Sequence, residues 1–139
     1  MQITTSLIGS SSSESLLKLI QGDTRPNLIV NLSSQTNSNV TPLNVNTATC
    51  LFKLRKVKTT QLLDTILCVP LPGLENSDGS ITFTAPYDQL GAGGRILVAW
   101  NPNSLAVAGT LEGEVEVTFA DGTIQTAYNV ARMIVRSQF

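Results

Sequence analysis

The strongest constraint in this sequence is a two-residue alternation of apolar and polar side chains that restarts after every turn. Across residues 111–119, Val115, Val117 and Phe119 fall on one side, and Glu112, Glu114, Glu116 and Thr118 on the other. Period-2 runs of this kind specify half-buried strands rather than helices. Ala120-Asp121-Gly122-Thr123 then reverses the chain, because Asp-Gly supplies the positive φ of tight turns that match strand twist. Residues 124–136 read as the return strand.

The same grammar recurs upstream. In residues 27–32, Leu28, Val30 and Leu32 alternate with Asn27, Ile29 and Asn31. In residues 48–57, Cys50, Phe52 and Leu54 share one side while Lys53 and Arg55 share the other. Residues 61–69 are apolar on both faces and stop at Pro70 and Pro72, which cannot donate to a ladder. Ile81 and Phe83 alternate with Thr82 and Thr84 after an Asp78-Gly79 turn. Residues 91–94 form a glycine-rich, flexible bend before a strand at 95–100, and residues 33–40 read as a polar loop. Residues 15–20 fit either a helical turn or a strand, and the Gly22-Asp23 turn that follows favours the strand. The whole gives seven to nine strands and no convincing helix. Strands this short and evenly spaced predict an all-β sandwich or barrel.

Length and charge narrow the function classes. A chain of 139 residues is about one domain with one core. Nine basic and ten acidic residues give a net charge of −1, so no field draws in nucleic acid. Only 14% of residues are charged, against about 25% in an average soluble domain. A surface of neutral polar groups suits a protein packed against others. The first 20 residues lack a basic n-region and an unbroken apolar run, so no signal peptide is expected. No stretch approaches the roughly 20 apolar residues of a membrane helix.

Chemistry is poorly provided for. There is no histidine, which removes the commonest general base and metal ligand. Cys50 and Cys68 read as two reduced, buried thiols rather than a disulfide, and two cysteines without histidine make no zinc site. Glu112, Glu114 and Glu116 lie about 7 Å apart on one strand face. Such a row serves as a solvated face or a cross-strand ion-pair ladder with Arg132 and Arg136, in preference to a calcium site or an acid–base pair. Gly91-Ala92-Gly93-Gly94 lacks the Lys-Ser/Thr and helix of a phosphate loop. Trp100, the one tryptophan, suits a core plug or interface anchor better than a sugar platform formed with Tyr87 or Tyr128. No catalytic residue, metal or cofactor is assigned.

Two stretches carry a family resemblance. Gly22-Asp23-Thr24-Arg25-Pro26 leads into an alternating strand, and Gly113-Glu114-Val115-Glu116-Val117-Thr118-Phe119-Ala120-Asp121-Gly122 is followed by Gln125-Thr126 and Val135-Arg136. Together they resemble the small immunoglobulin-like domain of tailed-phage virion proteins, the family of the N-terminal domain of the phage baseplate upper protein. The resemblance spans about residues 21–139. It implies an immunoglobulin-like antiparallel β-sandwich at 21–139; residues 1–20 depart from the family's pattern and precede the domain as an extra N-terminal arm. It further implies a non-enzymatic structural protein of the virion, assembled in the host cytoplasm. Such a protein is a docking module of the tail, baseplate or neck, a homo-oligomer within the particle, contacting other virion structural proteins but neither nucleic acid nor membrane. Capsid decoration is the alternative station, and a carbohydrate- or receptor-binding sandwich the more remote one. The arm is a candidate strand donor to a neighbour's sheet, with Ile3, Leu7 and Ile8 as anchors and Trp100 as a further contact.

Overall fold

Alternation in the sequence becomes two facing apolar surfaces in space. The computed structural model describes residues 2–7, 16–36 and 39–139. Leu28, Val30 and Leu32 from one sheet, and Cys50, Phe52, Leu54, Leu111, Val115 and Val117 from another, meet in a single buried core. Burying nine such side chains is the main favourable term for a fold of this size.

Thirteen strands occur among the described residues. They are β1 (Gln2–Leu7), β2 (Leu16–Ile20), β3 (Leu28–Thr36), β4 (Asn39–Pro42), β5 (Thr49–Lys56), β6 (Leu62–Leu67), β7 (Val69–Pro70), β8 (Leu74–Glu75), β9 (Ile81–Thr82), β10 (Arg95–Val98), β11 (Gly109–Thr118), β12 (Ile124–Thr126) and β13 (Ala131–Arg136). The count exceeds the expected seven to nine because four are pieces of two or three residues. One sheet runs β1-β3-β10-β7, with β4 on β3; the other runs β2-β13-β11-β5-β6, with β12 on β11. A small hairpin pairs β8 with β9.

All pairings are antiparallel except β2 with β13, which run parallel. With the first strand divided between sheets, the orders β1-β3-β10-β7 and β13-β11-β5-β6 follow the A-B-E-D and G-F-C-C′ paths of an immunoglobulin-like sandwich of variable type. The chain is an immunoglobulin-like β-sandwich. The inter-sheet disulfide of antibody domains has no counterpart, since both cysteines lie along β5 and the end of β6, in one sheet.

Local readings need three corrections. Within the expected loop at 33–40 the described residues are strand: β3 continues to Thr36 and pairs with β4 (Asn39–Pro42) through backbone hydrogen bonds. The return strand breaks at residues 127–130, where extra chain separates β12 from β13 against one continuous β11. The glycine bend is packed rather than loose. Gly93 and Gly94 are buried, and a side chain at either would collide with the backbone oxygen of Gly73 or Leu32. In the Asp121-Gly122 turn Gly122 alone takes positive φ, +88°. Gly122 N–H donates to the Phe119 carbonyl (2.9 Å) and Phe119 N–H to that of Thr123 (2.8 Å). That pattern is a three-residue hairpin loop closed by a left-handed glycine. Asp121 contributes by accepting from the Thr123 N–H and hydroxyl. Asn76-Ser77-Asp78-Gly79-Ser80 repeats the device bond for bond.

The described residues of the expected arm, 1–20, belong to both sheets. Residues 2–7 pair with β3 and residues 16–20 with β13.

Candidate functional site

The carboxylate row sits at the centre of a sheet face. β11 lies between β5 and β13, and its outward positions are Glu112, Glu114 and Glu116. Register puts Glu114 opposite Lys53 and Glu112 between Arg55 and Arg132. Lys53 Nζ meets Glu116 Oε2 at 2.7 Å, and Arg55 Nε meets Glu112 Oε1 at 2.7 Å. The ladder expected from the sequence is therefore present, but its cations come from β5 rather than from Arg132 and Arg136 on β13. β5 borders β11 from Leu111 to Thr118, alongside all three glutamates, whereas β13 borders it from Gly109 to Gly113 and lies opposite Glu112 alone of the three. The hydrogen bond to Glu116 raises the Lys53 pKa, and the charges of Glu116 and Glu114 add to it against a smaller burial effect. Carboxylates held this way bind the sheet together. Among the described residues no group of three or more His, Cys, Asp or Glu is arranged to hold a metal.

Trp100 is inside the sandwich, 5% exposed. Its ring stands edge-on to Phe52, centroids 6.0 Å apart at 75°, and its Nε1 donates to the Pro26 carbonyl at 2.9 Å. Aromatic pairs prefer this geometry, and a buried indole N–H needs such an acceptor. Trp100 is thus the core plug, and the expected contact role has no surface to act from. Nor does it join Tyr128, which is 98% exposed, in an aromatic platform.

The arm residues divide three ways. Ile3 is buried in the core. Leu7 pairs with Leu28 in the β1–β3 register. Ile8 lies outside the described residues. β1 is an edge strand, and on its outward side Ile3 N–H donates to Asn129 Oδ1 (3.1 Å) while Asn129 Nδ2 donates to the Ile3 carbonyl (2.9 Å). An amide side chain here imitates the next strand's backbone, blunting an edge that would otherwise be open.

One further group, Asp64, escaped the sequence reading, while the two reduced, buried thiols it expected are present. Asp64 Oδ2 accepts from Ser104 Oγ (2.5 Å) and Asn101 Nδ2 (3.1 Å), while Oδ1 accepts from the Thr65 N–H (2.8 Å). Burial pushes this carboxyl up, but the three donors outweigh it and leave its pKa below the ordinary value. Residues 40 positions apart give no sequence signal for this contact. Cys50 and Cys68 are free thiols, and Cys68 N–H donates to the Cys50 carbonyl at 2.9 Å. Burial pushes Cys50 up to about 11; burial and the neighbouring Cys50 push Cys68 up to about 12. Thiols so protonated are poor nucleophiles. Here a signal existed: both lie nine positions from Thr59, in the turn that joins β5 to β6.

No family model matches the chain, and no curated protein does. Among solved structures it is similar to murine CRIg, with 11% identity over 100% of each chain and a TM-score of 0.36. Among the described residues no helix is long and apolar enough to cross a membrane.

Proposed function

We propose that the chain is a non-enzymatic structural protein of a tailed-phage virion, an assembly and docking module of the tail, baseplate or neck. The observation that carries the docking part is β1. It is a six-residue edge strand, paired on one side with β3 and pinned on the other through the Asn129 amide. A strand at the edge, held on its outer side through the Asn129 amide, is the element that can be given up to a neighbour's sheet, where backbone hydrogen bonds and alternate side-chain pockets would hold it. The non-enzymatic reading is supported by two of the three carboxylates in the row being ion-paired and by Asp64 tying a loop to the sheet. The virion setting rests on the resemblance in residues 22–26 and 113–122.

Two measurements test this reading. Mass spectrometry of purified particles from a phage carrying the gene should find the chain at a fixed copy number with other virion proteins. Its absence from the particle refutes the virion setting. A chain lacking residues 1–12 should fold yet fail to incorporate; full incorporation removes the arm as the docking element.

A further inference from the structure

The β5–β6 ladder pairs Leu51 with Leu67 and Phe52 with Ile66. Continued by one step it sets Cys50 directly opposite Cys68, and the 2.9 Å bond from Cys68 N–H to the Cys50 carbonyl shows that the ladder does continue. Opposed residues of an antiparallel pair point to the same face, and both cysteines belong to the buried core. Directly opposed Cα atoms are about 4.5 or 5.5 Å apart. Either spacing falls within the roughly 4.4–6.8 Å a disulfide requires. The two thiols are 4% and 5% exposed, so neither reaches a partner protein while the sheet is closed. β6 is the last strand of its sheet, bordered by β5 alone, and an edge strand is where local opening is easiest.

We propose that Cys50 and Cys68 are a cross-strand redox pair, closing to one intrachain disulfide that staples β6 to β5 when the protein meets a small-molecule disulfide such as oxidised glutathione. As β6 opens, the thiolate of one cysteine attacks a glutathione sulfur and releases one glutathione thiol. The thiolate of the second attacks the protein sulfur of that mixed disulfide and releases the other. Two protein thiols become one S–S bond, the protein gives up two electrons and two protons, and one oxidised glutathione becomes two reduced ones. Closure shortens the unfolded chain's freedom across the intervening hairpin, so the oxidised form is the more stable. This inference is independent of the virion reading, because it needs only the β5–β6 register.

The test is equilibration of the full chain in glutathione buffers of rising oxidised fraction, followed by acid trapping and intact-mass measurement. The expected product is two hydrogens lighter than the reduced chain, carries no glutathione, and yields a peptide cross-linking Cys50 to Cys68. Its unfolding midpoint rises by roughly 5–10 °C. Cys68→Ala should give no such product and no rise. Three results overturn the proposal: both thiols remaining free after equilibration near the unfolding midpoint, glutathione adducts or intermolecular dimers as the end product, or an intrachain disulfide that lowers the midpoint.

Discussion

Gly113 occupies a core-facing position on β11, opposite Leu54 on one side and Ala131 on the other. A Cβ there would enter the Phe52 ring, with Cε1 at 2.7 Å and two further ring atoms nearer still. The glycine thus makes room for the ring that Trp100 meets edge-on. Glycine in a strand ordinarily gains from replacement by alanine, but here overpacking wins. Gly113→Ala should lower stability by about 1–3 kcal/mol in urea unfolding. Phe52→Leu should cost less in that background than in the wild type; strictly additive effects would show the ring is not the obstacle. Asp64 makes a second residue-scale prediction. Its folded-state pKa lies below that of an unfolded aspartate, about 3.9. The stability it confers is therefore complete above that pH and lost as pH falls below it, through the folded value. Asp64→Asn should cost about 1–3 kcal/mol at neutral pH, and its stability should fall less steeply than wild type below about pH 4. Asp78 and Asp121, lowered by donors from Ser80 and Thr123, titrate in both proteins and cancel in the comparison. Parallel pH curves would remove Asp64 from the account. These contacts were only partly legible. The Asp-Gly turns announced themselves, since their chemistry is local. The Gly113–Phe52 and Asp64–Ser104 contacts did not, because both depend on which strands become neighbours.

At the level of elements, legibility followed the apolar face. β3, β5 and β11 each bury alternate residues, and their positions and orientations could be read directly. The β3–β4 hairpin beyond Leu32 has no apolar face to betray it, and its register is carried by backbone pairing. The glutamate row was legible as an ion-pair ladder, but its partners were not. Sequence neighbours across the Asp121 turn suggested β13, whereas strand order places β5 along the other side of β11, and Glu112 and Glu116 pair with its cations. β1 shows the same limit: Asn129 and Ile3 are 126 positions apart, and only the sandwich brings them together. Asn129→Ala should leave the edge of β1 unpinned. The expected outcome is a loss of about 1–2 kcal/mol in stability and, in hydrogen exchange, faster exchange at the Ile3 amide with β11 amides unchanged in rank. Unaltered protection at Ile3 would mean that β3 alone holds the strand.

At the scale of the molecule, the question is where the folding unit begins. A boundary at residue 21 follows from the turn at Gly22-Asp23 and from the reach of the family resemblance. The strand register argues for an earlier one. β2 runs parallel to β13 from Leu16↔Arg132 to Ile20↔Arg136, closing one sheet with the first and last parts of the chain. Leu17 and Leu19 are 2% and 4% exposed and join the common core. Burying two leucines contributes about 3–6 kcal/mol, against a total stability of about 5–15 kcal/mol for a domain. Without β2, β13 would also lose its outer partner, and the core face formed by Met133 and Val135 would open to water. A chain of residues 21–139 should therefore be unfolded or close to it at 25 °C, while one of residues 13–139, which keeps β2 and loses β1, should unfold cooperatively at a lower urea midpoint. Circular dichroism and urea titration of the two chains decide the matter. A cooperative transition for 21–139 within about 1 kcal/mol of the full chain would restore the later boundary. The contrast matters for the docking reading as well, because it separates the two strands of the arm by role: β2 is required for the sandwich to exist, and β1, at the far edge of the other sheet, is the one the fold can release.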